Sequence, residues 1–195
     1  MKKIIPLLFI VALAPLKSQA AFKSLSAGVN YPTVQGRNYT SMQRQRGYEL
    51  STNAHTDAFN DFQLFGFKPL KWVDTFDMKF TAFYQPYSLF GKTNANLNMI
   101  GGLAGFETKG TQHNFLLHPF LYLQVGSIYS WLNFPAATGT SHSQYYFMAR
   151  AGLGFEAPIW KGLNLVIDSP ISVIPRNIAP LVVWNLNASA RWRFE

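Results

Sequence analysis

The sequence contains no cysteine and few charged residues. Without cysteine the chain has no lipid-modified thiol, no disulfide framework and no thiol chemistry. Charged residues make up 13% of the chain, well below the roughly 25% that is usual in soluble domains. Beyond the N-terminal segment there is no apolar run long enough for a membrane-spanning helix. A closed β-barrel is then the remaining way to satisfy every peptide group in lipid.

The N-terminal segment has the three regions of an export signal. Residues 1–3 are a short basic start, residues 4–16 are apolar, and Ser-Gln-Ala at 18–20 places small side chains where a signal peptidase reads them. A membrane-anchoring helix is the weaker alternative, because the run contains prolines and is shorter than the roughly 20 residues that a spanning helix needs. We predict a cleaved Sec-type signal peptide over residues 1–20 and one barrel domain over residues 21–195.

The last predicted strand, Trp184 to Phe194, alternates without a break between apolar and polar residues. Successive side chains of a strand point to opposite sides. One side carries Trp184, Leu186, Ala188, Ala190, Trp192 and Phe194, and the other carries Asn185, Asn187, Ser189, Arg191 and Arg193. The two arginines exclude a dry core on the polar side. A tilted strand of this length can cross an outer membrane.

About eight extended segments follow one another along the mature chain. They are Phe22 to Pro32, Asp57 to Phe67, Val73 to Tyr87, Ala95 to Glu107, Asn114 to Trp131, Gln144 to Glu156, Leu163 to Val173 and Leu181 to Phe194. We predict an all-β fold, an up-and-down antiparallel transmembrane barrel of about eight strands.

The connections between these segments predict an orientation. The odd-numbered ones, beginning with Thr33 to Thr56, are all longer than the even-numbered ones, which is typical of long outer loops and short periplasmic turns. No tryptophan falls in the middle of a strand, so we predict interfacial aromatic belts. Their members are Trp72, Trp160, Trp192 and Phe194 at the periplasmic end and Trp131 and Trp184 at the outer end.

The chain resembles the small OmpA/OmpX-type outer-membrane barrels. The resemblance rests on the signal peptide, on the stretch Arg150 to Glu156 followed by a short turn and the strand Leu163 to Val173, and on the aromatic end of the last strand. It implies the outer membrane of a Gram-negative bacterium as the location. It also implies that the strand ending at Phe194, here followed by Glu195, is read by the outer-membrane assembly machinery.

The inward faces of the predicted strands carry charges that are expected to fill the lumen. Eight strands leave an interior just wide enough for side chains, and charges there should pair. With a turn centred near Ile159, Arg150 would lie opposite Asp168 and form an ion pair with it. We therefore predict a plugged barrel. The lumenal charges are Asp77, Lys79, Arg150, Glu156, Asp168, Arg191 and Arg193.

The histidines do not form a recognisable catalytic or metal site. A Ser-His hydrolase needs the serine within hydrogen-bond reach of the imidazole and a third orienting group, whereas Ser141, His142 and Ser143 are adjacent in a loop without a nearby acid. His118 is interpreted as a hydrogen-bonded filler of the lumen, and His55 and His113 as surface or lumenal residues. We expect no catalytic residue, no metal, no cofactor and no nucleic-acid partner.

The first outer loop contains a basic patch, defined by Arg37, Arg44 and Arg46 with Tyr39 and Tyr48 nearby. Such a patch could contact anionic lipopolysaccharide or a partner at the cell surface. A solvated loop without a specific ligand explains the same residues.

Three functions are compatible with this sequence. The first is an integral outer-membrane barrel with a structural or surface-interaction role and a closed lumen. The second is a narrow channel or a carrier of small apolar molecules, an alternative that the inward residues Leu116, Phe120 and Tyr122 keep open. The third is a soluble periplasmic, lipocalin-like barrel, which would place apolar side chains inside and polar ones outside.

The signal peptide makes a direct prediction. The protein recovered from the outer membrane should begin at Ala21, because the small residues before it fit a signal peptidase. N-terminal sequencing and the intact mass measure this, and a mature protein that retains Met1 would contradict it.

Overall fold

The computed structural model describes residues 21–35, 42–55, 75–89, 95–110, 116–133, 142–175 and 180–194. These ranges contain nine β-strands. They are β1 (Ala21–Gln35), β2 (Met42–Arg44), β3 (Gly47–His55), β4 (Thr75–Leu89), β5 (Ala95–Lys109), β6 (His118–Asn133), β7 (His142–Trp160), β8 (Leu163–Ile174) and β9 (Leu181–Arg193). No helix within the described ranges is long and apolar enough to span a membrane.

The strands form one closed antiparallel sheet. β1 pairs with β3, each strand from β3 to β8 pairs with the next, and β9 pairs with β1, which closes the ring. Strands β2 and β3 both pair with β4, where Arg44 lies opposite Tyr87 and Tyr48 opposite Tyr84. One extra residue therefore separates them as in a β-bulge, and β2 and β3 together fill one of eight positions in the wall. The prediction of an up-and-down eight-stranded barrel is confirmed.

The second wall strand differs from its predicted place. The predicted segment Asp57 to Phe67 lies outside the described residues, and the position between β1 and β4 is filled by β3. β3 falls within the predicted first outer loop, Thr33 to Thr56, so that prediction is wrong for these residues. Its outward positions carry Tyr48, Leu50 and Thr52, so it offers fewer large apolar side chains than the predicted segment, which contains four phenylalanines.

This shift also corrects the predicted pattern of loop lengths. We call the end of the barrel where β1 begins and β9 ends the terminal end and the opposite one the loop end. The connection between β3 and β4 at the terminal end spans residues 56–74, whereas the connection between β4 and β5 at the loop end spans only residues 90–94. The rule that every odd connection is longer than every even one is therefore wrong. The other seven predicted strands agree in position with the observed ones, apart from a few residues at their ends.

Apolar side chains face outward and polar ones face the lumen. In β9 the exposed residues include Trp184, Leu186 and Trp192, while Asn185, Asn187 and Arg191 are buried. Among the described residues, buried polar and charged side chains outnumber buried apolar ones. Soluble proteins have the opposite preference, since their buried residues are mainly apolar. This distribution suits a wall that contacts lipid on its outer face.

The turn between β7 and β8 requires glycine. Gly162 has a φ of 72°, and its carbonyl oxygen accepts a hydrogen bond of 2.7 Å from the backbone nitrogen of Arg193. A Cβ atom at this position would lie 3.1 Å from the carbonyl oxygen of Arg193.

Replacing Gly162 with alanine should lower the free energy of unfolding by about 1 kcal/mol, because a side chain is strained at positive φ. Urea unfolding in detergent micelles measures the loss. Lys161→Ala, at the neighbouring position in the same turn, is the control. Equal stability of the two variants would show that the turn does not depend on the glycine.

Candidate functional site

The lumen is the candidate functional site, and its half towards the loop end is apolar. Inward side chains from six strands pack together there and are almost fully buried. They are Phe83, Tyr87, Met99, Leu103, Ile128, Met148, Ile174, Leu181 and Val183. These side chains contact one another and form one buried apolar layer.

The half towards the terminal end is charged and is organised around Arg191. Its guanidinium binds Glu107 through two contacts, Nη1 to Oε1 at 2.7 Å and Nη2 to Oε2 at 3.1 Å. Nη1 also donates to Oε2 of Glu156 at 3.0 Å, and Nε donates to Oγ of Ser26 at 3.0 Å. Bidentate pairs of this kind are the strongest side-chain hydrogen bonds, so Arg191 fixes three other strands to β9.

Further cations complete the neutralisation of these two carboxylates. Nζ of Lys79 lies 3.0 Å from Oε2 of Glu107 and 3.9 Å from the centre of the Tyr122 ring. Lys109 forms an ion pair with Glu156. Arg193, whose side chain is 43% exposed, lies with Nη2 2.7 Å from Oε1 of Glu156, as an ion pair without hydrogen-bond geometry.

A second ion pair crosses the lumen nearer its middle. Nη1 of Arg150 donates to Oε2 of Glu49 at 2.8 Å, and Nε donates to Oγ of Ser172 at 3.2 Å. The guanidinium also lies 4.8 Å from the centre of the Phe83 ring. Arg150 therefore joins the charged half of the lumen to the apolar half.

The predicted pair of Arg150 and Asp168 is wrong. In the observed register Arg150 lies opposite Ser172, while Asp168 lies opposite Gly154. Asp168 instead accepts hydrogen bonds from the Tyr122 hydroxyl and, at 3.3 Å, from the Asn187 amide. The reason is the turn, which falls at residues 161–162 after a bulge in β7 and not near Ile159.

The predicted lumenal charges lie together on the inward face of the barrel. Lys79, Arg150, Glu156, Asp168 and Arg191 are buried. Of the other two, Arg193 lies at the terminal end, and Asp77 forms an ion pair of 3.3 Å with Lys23.

Three members of this network are not among the predicted lumenal charges: Glu49, Glu107 and Lys109. Glu49 lies in β3, which falls within the predicted first outer loop. Glu107 and Lys109 share the inward face of β5 with Met99 and Leu103, so that face is half apolar and half charged. Their spacing of two residues was the signal that could have assigned them to the lumen.

The aromatic residues lie at the two ends of the wall. Trp160, Trp192 and Phe194 are exposed at the terminal end, and Trp184 is exposed at the loop end. Trp131 stacks with Tyr84 and Tyr129 at the loop end. Trp72 lies outside the described residues.

The described part of the basic patch lies at the loop end. Arg46 is exposed, with its guanidinium 5.9 Å from the centre of the Tyr31 ring. The backbone of Arg44 pairs with that of Tyr87 in the wall. Arg37 lies outside the described residues.

The structure places His118 in the lumen, opposite Glu156 in the pairing of β6 with β7. Its Nδ1 is buried and has no hydrogen-bond partner in the part of the chain that the structure describes, so the predicted role as a hydrogen-bonded filler is not observed for this atom. Within the same ranges no group of three or more His, Asp or Glu side chains could hold a metal ion.

These features define the class of protein. A closed antiparallel barrel with an apolar outer face and a charged, filled interior is the design of a small outer-membrane β-barrel, and the chain is a barrel of this class in the outer membrane. The lipocalin-like alternative is excluded, because it requires the opposite assignment of apolar and polar faces.

Comparisons with known proteins agree on the fold. No protein-family model matches the chain, and no curated protein matches it. Neisserial surface protein A is similar at 12% identity with a TM-score of 0.55, over 88% of this chain and 96% of that one. The resemblance to small outer-membrane barrels is thus confirmed at the level of architecture.

Two further solved structures show how widely this fold is used. Ail, the attachment invasion locus protein of Yersinia pestis, in complex with the heparin analogue sucrose octasulfate, is 15% identical with a TM-score of 0.54, over 89% of this chain and 100% of that one. The outer membrane enzyme PagL is 12% identical with a TM-score of 0.50, over 88% of this chain and 99% of that one. At these identities the likeness shows the fold alone.

Removing the charge of Arg191 should destabilise the barrel strongly. In Arg191→Met two buried carboxylates, Glu107 and Glu156, lose their shared partner, and breaking a buried ion pair in this way costs about 3 to 5 kcal/mol. Urea unfolding in micelles measures the change. The matched control is Arg193→Met, which removes a half-exposed arginine and should cost about 1 kcal/mol or less. A loss of similar size in both variants would refute the central role of Arg191.

Proposed function

We propose that this protein is a non-conducting outer-membrane barrel with a structural or surface-interaction role. In this proposal the terminal end faces the periplasm, the lumen is closed by its own side chains, and the loop end is the working surface. The barrel carries no catalytic role, and its strand ending at Phe194 is read by the outer-membrane assembly machinery during insertion.

One observation supports a closed lumen most directly: two ion pairs each span the full diameter of the barrel. Around the ring of eight wall positions, β9 lies diametrically opposite β5, and β7 lies opposite β3. Arg191 on β9 binds Glu107 on β5, and Arg150 on β7 binds Glu49 on β3. The two pairs cross each other at different heights. A solute or ion moving along the axis would have to break both.

Shorter contacts support the same conclusion. The amide of Gln124 on β6 donates to the Thr81 hydroxyl on β4 at 2.9 Å, and the Asn53 amide on β3 donates to Glu107 at 2.8 Å. The apolar layer lies beyond these contacts, towards the loop end. Two independent kinds of packing therefore close the lumen.

The surface role is supported by the loop end. Arg46 and Tyr31 together present a cation and an aromatic ring at the level where the wall ends. With Arg37 and Arg44 they would contact anionic groups of lipopolysaccharide or of a partner. A narrow channel or a carrier of small apolar molecules is the second candidate. The apolar side chains towards the loop end of the lumen suit apolar cargo, and their packing would have to open to admit it.

Planar-bilayer recording tests the closed lumen. The purified, refolded protein should give no stable current steps, because both cross-lumen pairs block the axis. The double variant Arg150→Ala, Arg191→Ala removes both pairs but keeps the apolar layer and should also stay closed, whereas adding Phe83→Ala to it should give a small conductance. Heat-dependent migration in gel electrophoresis serves as the control that each sample is folded. Stable open channels in the unmodified protein would overturn the proposal in favour of a channel.

A further inference from the structure

A cavity of about 580 Å³ opens at the terminal end of the barrel, below Arg191. It lies on the far side of the charged layer from the apolar layer. Its walls come from the beginning of β1, the end of β9, the β7–β8 turn and the adjacent ends of β3, β4 and β5.

The cavity has a surplus of positive charge. Its lining contains five cations, Lys23, Lys109, Lys161, Arg191 and Arg193, and two carboxylates, Asp77 and Glu107. Glu156, behind the lining, pairs with three of the cations and reduces the surplus without removing it. A concave surface with one dominant sign of charge concentrates its field and attracts ligands of the opposite sign.

The deeper cations are held in place before any ligand arrives. Arg191 and Lys109 are buried and fixed by Glu107 and Glu156. Lys161 and Arg193 lie nearer the opening, and no ion pair of Lys161 occurs among the described residues. The cavity therefore combines rigid charges at its floor with adaptable ones at its rim. Such fixed charges lower the ordering cost of binding.

Two other features of the cavity indicate which chemical groups an anionic ligand would carry besides its charge. Oδ1 of Asn53, whose side chain is 3% exposed, is buried without a hydrogen-bond partner in the described ranges, so it can accept from a ligand hydroxyl. Trp160, Pro158 and Phe194 supply an apolar wall near the rim. Sugar rings present hydroxyls at their edges and C–H groups on their faces, which match an amide oxygen and an aromatic wall. The volume lies within the range of small-molecule sites.

We propose that this cavity binds a small phosphorylated sugar from the periplasmic side. The phosphate contacts Lys161 and Arg193 at the rim and reaches Lys109, one hydroxyl donates to Asn53, and the ring lies against Trp160. The site is separate from the closed lumen above it, so binding does not require that the barrel conduct. It is also separate from the loop end, where the proposed surface contacts lie.

Isothermal titration of the detergent-solubilised barrel tests the site. Glucose 6-phosphate should bind, glucose should bind at least about tenfold more weakly, and inorganic phosphate should be weaker than the ester. The tenfold difference is that expected for a charge-assisted hydrogen bond. Equal binding of glucose and its phosphate would overturn the proposal. Equal binding of inorganic phosphate and glucose 6-phosphate would show that the cavity does not recognise the sugar.

Variants at the rim complete the test, because they leave Arg191, Glu107 and Lys109 in place. Lys161 has no ion pair among the described residues, and Arg193→Gln also removes one partner of Glu156. Lys161→Gln and Arg193→Gln should each weaken binding of glucose 6-phosphate about tenfold, and Arg193→Lys should restore most of it. Arg46→Gln, at the opposite end of the barrel, is the matched control and should bind normally. Heat-dependent migration checks the fold of every variant. Unchanged affinity in both rim glutamine variants would refute the site.

Discussion

A strand that faces lipid can satisfy its peptide groups only through the strands beside it, and this constraint shapes the whole molecule. The sheet must close, which the β4–β5 and β1–β9 pairings accomplish. Closure gives every strand one face to lipid and one to the lumen, so the chain needs a period of two along its length. The chain has few charged and many aromatic residues because one face of every strand contacts lipid. It has buried polar residues because the other face points into the lumen.

The inner face then has its own requirement, because a charge in a narrow lumen is stable only with a partner. Arg191 and Arg150 meet it by reaching across the barrel to Glu107 and Glu49, on the opposite wall. The same contacts that neutralise the charges also fix the distance between opposite strands and occupy the axis. Nearer the loop end, apolar packing around Phe83 takes over this role. Charged and apolar side chains therefore occupy two halves of the lumen, and a cavity lies at the terminal end.

Much of this architecture could be predicted from the sequence, and the failures have a common cause. β9 was predicted within one residue because both of its faces are strongly patterned, whereas β3 carries only two large apolar residues, Tyr48 and Leu50, on its outward face and was missed. Glu49 was lost with it. The partner of Arg150 was also beyond the sequence, because its pair crosses the lumen between strands that are not neighbours. The alternation of apolar and polar residues along one strand shows which of its faces is inward. Which residues meet across the barrel depends on the register between strands, and a turn of one or two residues sets that register.

The central claim is the inside-out distribution of side chains, and the absence of cysteine allows a direct measurement. Single cysteines at Leu186 and Asn187, adjacent positions of β9, can carry spin labels in the barrel reconstituted in lipid vesicles. The label at 186 should collide freely with oxygen dissolved in the bilayer, and the label at 187 should be immobilised and shielded from it. A label at 187 that is as accessible to oxygen as the one at 186, or more so, would contradict the account.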